Sequence, residues 1–197
     1  KVRASLASRA DLPKPLLLKL LNDPVLFVCI SALSNPQTSF EDMGTLAILA
    51  ARQKTTPSHI LHRLAQHPDL TVRRLIAINP STAPETLALL ASEADYALRQ
   101  RLAGNPRTPV EVLRGLSCVP GWRIRDAVAH NPSATEGILS DLAYDRDPLV
   151  RQAVARHPNT PDHIRRWLQN DHEYCVREAA YEAITKEPPA TQPEIGR

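Results

Sequence analysis

Glycine is scarce. Six glycines in 197 residues leave little backbone for the loops that cradle phosphates. Cysteine is nearly absent as well: Cys29, Cys118 and Cys175 are far apart, odd in number and without CxxC spacing. That pattern excludes a disulfide framework and a zinc or iron–sulfur site within the chain, and fits a reducing, cytoplasmic setting. No apolar run has the length of a membrane span, and no signal peptide opens the chain. Serine and cysteine nucleophile signatures and paired catalytic carboxylates are missing too. The expectation is no enzyme, no cofactor and no metal. Lys1 is not a methionine and falls beside a repeat start, so further residues are expected upstream.

What the sequence has in abundance is repetition. Val72-Arg73-Arg74-Leu75-Ile76-Ala77-Ile78-Asn79-Pro80 returns 26 residues later from Leu98 to Pro106, then from Ile124 to Pro132, then from Val150 to Pro158. A partial copy starts at Val176-Arg177. Such a period defines a repeat architecture in which each unit packs on its neighbours. Leu46, Val72, Leu98, Ile124, Val150 and Val176 keep one register. So do Ala51, Ala77, Ala103, Ala129 and Ala155, and Leu90, Leu116, Leu142 and Leu168. Val28 follows Val2 in the same step, but the next unit opens only 18 residues on, near Leu46. About eight residues are therefore missing from the second half of that unit.

Apolar residues at the first, fifth and sixth slots mark one face of a short helix. The constantly small sixth slot points to close approach between units. Asn79-Pro80 and its copies stop that helix, because a residue before proline is pushed out of the α region. Thr56-Pro57, Thr108-Pro109 and Thr160-Pro161 then read as N-cap and first residue of a second helix. Thr82 to Glu85 and Thr108 to Glu111 have capping-box spacing. With 18 prolines, almost all at corners, strands are not expected. The fold expected is all-α, a right-handed α-solenoid of about seven two-helix repeats. It forms a single repeat domain over 2–184, with a shortened unit near 28–46 and regular repeats over 46–184. Residues 185–197 read as a flexible tail.

The unit V-R-x-x-(L/V)-A-x-N-P-x-T-P-x-x-L-x-x-L-A resembles the leucine-rich repeat variant family, which is similar in build to HEAT repeats. The resemblance covers 2–184 and is strongest over 72–180. It implies alternating α and 3-10, or short α, helices in a right-handed superhelix. At least one member carries a cysteine-rich iron–sulfur segment; nothing here matches it, so no cluster carries over. The resemblance supplies no common enzymatic activity.

Arg3, Arg73, Arg99, Arg125, Arg151 and Arg177 share the second slot. A row of guanidinium groups suits phosphates or acidic peptides. Alternatively, the row pairs with the acids four residues earlier (Asp69, Asp95, Asp147, Glu173) as a ladder between repeats. Asn79, Asn105 and Asn131 read as structural amides that bond backbone freed by the following proline. His157 replaces them in the next copy without evident chemical company. His59, His62 and His67 read as surface histidines with no carboxylate or cysteine to complete a metal set. Trp167 is expected to pack between units.

One unit departs from the rule: Gly121 stands where the others have an acid, in Pro120-Gly121-Trp122-Arg123-Ile124-Arg125. Arg125 is expected to lose its partner there. Residues 97–125 hold six arginines against one acid, Glu111. The candidate binding set is Arg99, Arg101, Trp122, Arg123 and Arg125, forming one exposed basic patch. The expected function is a non-catalytic scaffold that holds a protein partner. The alternative is nucleic acid bound by segment 97–125; a third reading, DNA glycosylase chemistry, rests on fold analogy.

Overall fold

A computed structural model describes residues 2–186, and those residues form fourteen helices with no strand. The chain divides into two compact units, Lys1–Pro109 and Val110–Arg197.

In the first unit the helices that open each repeat are α1 (Val2–Ala7), α3 (Leu26–Leu33), α4 (Phe40–Arg52), α6 (Leu70–Ile78) and α8 (Tyr96–Gly104). They alternate with α2 (Lys14–Leu21), α5 (Ser58–Leu64) and α7 (Pro84–Leu90). Opening helices stack on one another, α1 on α3, α4 on α6 and α6 on α8. Their shared core is the predicted stripe: Val72, Ile76, Ala77, Leu98, Leu102 and Ala103 are fully buried.

The shortened unit has a clear structural form. No separate second helix follows α3. Instead α4 is two helical pieces joined across Gly44, whose φ of 45° and ψ of −134° suit glycine alone. Phe40–Met43 is what remains of a second helix, and the piece after Gly44 is the next opening helix, in register with Leu46. Ser39 caps the short piece: its hydroxyl accepts the Asp42 N–H at 3.2 Å while the Asp42 carboxylate accepts the Ser39 N–H at 2.9 Å. This is a reciprocal capping box.

In the second unit α10 (Trp122–Ala129), α12 (Pro148–Arg156) and α14 (Tyr174–Lys186) are the opening helices. They alternate with α9 (Val110–Ser117), α11 (Glu136–Leu142) and α13 (Asp162–Leu168). α10 packs on α12 and α12 on α14. The register leucines Leu116, Leu142 and Leu168 are buried. α14 is longer than its counterparts because Ala183-Ile184 stands where they have Asn-Pro or His-Pro, so nothing stops the helix. The expected tail boundary at 185 is thereby moved. Thr185 and Lys186 are helical, and 187–197 lie outside the described residues.

The corner after each opening helix is where the expectation needs correction. Asn79, Asn105 and His157 are extended (ψ 125°, 122° and 133°), as the following proline requires. The threonines beyond them do not cap the second helix. Pro57 and Pro161 occupy the N-cap position themselves, and Ala83 rather than Thr82 occupies it before α7, so Thr82–Glu85 forms no box. Each threonine hydroxyl turns back to donate to the carbonyl six residues earlier: Thr38 to Ala32 at 2.8 Å, and Thr82 to Ile76 and Thr108 to Leu102 at 2.7 Å. The reason is local. In a continuing helix the Ile76 carbonyl would accept from residue 80, which is proline and has no N–H. It accepts the Asn79 N–H at 3.1 Å instead, and Thr82 donates to its second lone pair.

Ala129 sits in the small slot on α10 and is completely buried. Ala129→Leu should overpack the contact with α12 and lower stability by about 1–3 kcal/mol in chemical denaturation. An unchanged midpoint would mean that the slot has room.

Candidate functional site

The recurring polar side chains assemble into two ladders, and their geometry decides which residues remain available for binding. The first is the amide ladder. Asn79 Nδ2 donates to the carbonyls of Ala51 (2.7 Å) and Gln53 (3.1 Å) in the preceding repeat, while its Oδ1 accepts the Ser81 N–H at 2.9 Å. Asn35 and Asn105 repeat the arrangement. Each amide is buried and serves the backbone, as the sequence implied. His157 has company after all: it copies the asparagine. Its Nδ1 accepts the Asn159 N–H at 3.1 Å and its Nε2 meets the Asn131 carbonyl at 3.0 Å. Only the neutral ring with its proton on Nε2 can make both bonds. Burial lowers the pKa of His157, the direction that keeps it neutral.

The second ladder joins the arginines to acids, but not to those expected. Arg73 makes a bidentate pair with Glu93 (2.8 and 3.0 Å), Arg151 with Asp171 (2.7 and 2.9 Å) and Arg125 with Asp145 (2.5 and 2.9 Å). Arg3 pairs likewise with Asp23. The acid lies twenty residues downstream, at the next corner, rather than four upstream. The upstream acids cap their helices instead: Asp69 accepts the Thr71 N–H, Asp95 that of Leu98 and Asp147 that of Leu149. Asp95 also takes the fork of Arg74, which holds its carboxyl down at about 2. In Arg73, Arg125 and Arg151 the remaining nitrogen clamps the arginine's own corner: Arg125 Nη1 donates to the carbonyls of Val119 (2.9 Å) and Pro120 (2.8 Å).

Gly121 therefore costs Arg125 nothing. Arg125 is among the best paired arginines in the chain; its side chain is 8% exposed and that of Asp145 6%. The Asp145 bond raises the Arg125 pKa. Burial works to raise that of Asp145, but the Arg125 fork and the Asp147 N–H outweigh it and hold the carboxyl below its usual range. What Gly121 removes is the side-chain cap of α10.

The exposed patch is thus not assembled as expected. Arg125 is buried; Arg99, Arg101 and Trp122 are half-buried, and Arg123 alone of the five is exposed. Arg99 Nε donates to the Glu93 carbonyl at 2.9 Å. Arg123 lies over the Trp122 ring, 5.0 Å from its centroid. Arg99 and Arg101 belong to the first unit; Trp122, Arg123 and Arg125 to the second. The three histidines of α5 and its corner do not converge either. His59 reaches Ser34 (3.3 Å), His62 reaches Thr86 (2.9 Å) and His67 is buried with its ring edge-on to Phe40. His67 occupies an acid slot, and the arginine slot twenty residues before it holds Ala47. Acid and arginine are lost together there.

The residues that sequence reasoning missed are Tyr144 and Trp167. Trp167 does pack against the preceding repeat, on Tyr144, but it stays 44% exposed and Tyr144 66% exposed. Their rings meet at 4.5 Å between centroids, tilted by 44°. They line a groove of about 480 Å³ between the corners 144–146 and 170–172, with Arg146, Asn170 and His172 on its rim. Arg151 and Asp171 form its floor, neutralised by each other. A neighbouring groove of about 330 Å³ lies one repeat earlier, floored by Arg125 and Asp145. No sequence signal marks the aromatic pair, because the slots of 144 and 167 are filled differently in every repeat.

Two substitutions separate the acids' roles. Asp145→Ala should strand a buried guanidinium and cost about 3–5 kcal/mol, whereas Asp147→Ala should cost about 1 kcal/mol as a lost cap. Equal losses in urea titrations would contradict the division. His157 gives a pH dependence. Its folded pKa lies below the unfolded value of 6.5, so the unfolded chain gains a proton first. The His157 contribution is complete above pH 6.5 and declines as pH falls towards the lowered folded pKa. His157→Asn should recover the two-carbonyl amide and reduce the fall in melting temperature between pH of about 7.5 and about 5.5.

No family model and no curated protein sequence matches the chain. Among solved structures, one described as a leucine-rich repeat variant with a novel repetitive structural motif is 24% identical, with a TM-score of 0.54. The match covers 92% of this chain and 65% of that one, so this chain spans just under two thirds of its length. An engineered protein matches at 18% identity and a TM-score of 0.32, over 93% of this chain and 86% of its own, a likeness too slight to bear on the fold. The chain is an all-α solenoid with the fold of the leucine-rich repeat variant that its sequence resembles.

Proposed function

We propose that the chain is a non-catalytic repeat scaffold that holds a protein partner in the groove of its second unit. The observation that carries this reading is the exposed Tyr144–Trp167 pair. Large amphipathic rings dominate protein interfaces, since each buries much area and loses few rotors. Exposed aromatics stacked side by side in a groove form such an anchor. The charged groups beneath them support a binding role over a chemical one. Arg151 and Asp171 are bonded to each other, as are Arg125 and Asp145 on the floor of the adjacent groove. Arg146 lies on the rim, where its charge favours a partner with acidic flanks.

The nucleic-acid reading places weight on Trp122 and Arg123 instead, and the two are separable. Peptides selected against the whole chain from a displayed library should lose about 2 kcal/mol or more of affinity on Trp167→Ala. They should bind Arg123→Ala as well as the unsubstituted chain. Selected peptides indifferent to both Trp167→Ala and Tyr144→Ala would sink the assignment. A single-stranded oligonucleotide bound with a steep salt dependence, and lost with Trp122→Ala, would replace it with the nucleic-acid reading.

A further inference from the structure

Among the described residues Arg177 is the last arginine of the ladder. Arg177 is held as the other ladder arginines are: its Nη1 donates to the carbonyls of Asp171 (2.7 Å) and His172 (2.9 Å). Those bonds match the clamp of Arg73 on His67 and Pro68 and that of Arg125 on Val119 and Pro120. In Arg73, Arg125 and Arg151 the opposite edge of the guanidinium, Nε and Nη2, takes a carboxylate in a two-point pair. The slot that supplies this acid lies twenty residues on. No carboxylate among the described residues pairs with Arg177.

We infer that Arg177, on α14, is a binding site for an Asp or Glu side chain of a protein partner, distinct from the Tyr144–Trp167 groove. The chain shows three times what this clamped fork accepts, and each time it is a carboxylate; Arg99, with Val119 in the acid slot, turns its Nε to the Glu93 carbonyl instead. The clamp fixes the rotamers beforehand, so little ordering entropy remains to oppose binding. The surroundings specify more of the partner. Arg177 lies against the exposed ring of Tyr174, 5.8 Å from its centroid, and with Glu178, Tyr181, Glu182 and Thr185 these groups line a shallow groove of about 360 Å³, in which the Tyr174 hydroxyl donates to Glu178 at 3.2 Å. Two exposed tyrosines beside the fork suit an apolar or aromatic neighbour of the acid. Glu178 disfavours a run of acids and suits a basic residue one turn away. The motif fitted is one acid, one aromatic and one base.

The test uses the full chain and follows the Arg177 Nε–H resonance by NMR. The probe is a short peptide carrying one Asp, one Phe and one Lys; its controls are the same peptide with Asn for Asp, and inorganic phosphate. The expected result is a saturable shift of the Arg177 signal with the Asp peptide. Affinity should fall on the order of ten-fold or more for the Asn peptide and for Arg177→Lys, which keeps the charge and loses the fork. Trp167→Ala should bind the probe unchanged, so this site and the groove stand or fall separately. No shift, equal binding by the Asn peptide or by Arg177→Lys, or tighter binding of phosphate than of the Asp peptide would each overturn the inference.

Discussion

A proline without an N–H sets the terms for most of this structure. Each opening helix that ends in Asn-Pro or His-Pro ends on carbonyls whose natural donors are absent, and those carbonyls are buried where water cannot replace them. Side-chain donors fill the remaining acceptor capacity of each corner, and they do so even at Gln53-Lys54, where no proline stands. Threonine hydroxyls arrive from six residues downstream and asparagine amides from the following repeat. The first import closes a turn; the second welds repeat to repeat. Within each unit the stacking register is fixed by hydrogen bonds at the helix ends as much as by the aliphatic stripe between them.

The arginine ladder has a different physical character. It buries charge, and a buried charge is stable only if its partner is buried with it. Arg73, Arg125 and Arg151 each spend one nitrogen on their own corner and two on the acid of the next, so one side chain bonds both sides of a junction. Where the arginine is replaced, as by Ala47, the acid slot holds His67, whose Nδ1 accepts the Asp69 N–H at 3.0 Å much as Asp145 accepts that of Asp147 at 2.8 Å. The backbone duty of the slot survives while its charge is removed. His157 shows the same economy in the amide ladder. Two histidines that look like candidate ligands in sequence are substitutes for structural residues.

Binding capacity is what remains after these demands are met. The six recurring arginines draw the eye first, yet most of them are occupied by backbone and carboxylate. Positions that the ladders do not use are free to vary from one repeat to the next, and there the aromatic pair Tyr144–Trp167 stands exposed. Function in such an array sits in the irregular positions, because the regular ones are already committed to stacking.

The sequence alone determined the period, the helical corners, the small buried slot and the truncated second unit. Each of these is a local consequence of residue type: proline forbids a bond, alanine permits an approach, and a missing stretch removes a helix. Even the kink at Gly44 is local, although its position only makes sense once Leu46 is placed in register. The tertiary structure decided the pairing. Acids four residues before and twenty residues after each arginine are equally plausible in the sequence, and the nearer one is the natural choice. Only stacking brings the farther one to the fork and turns the nearer one towards its own helix end. The same holds for Arg125, which the sequence strips of a partner and the fold returns one from the next corner. Exposure was decided there too, because whether Trp167 fills a junction or faces solvent depends on Tyr144, 23 positions away in the chain and one repeat away in space.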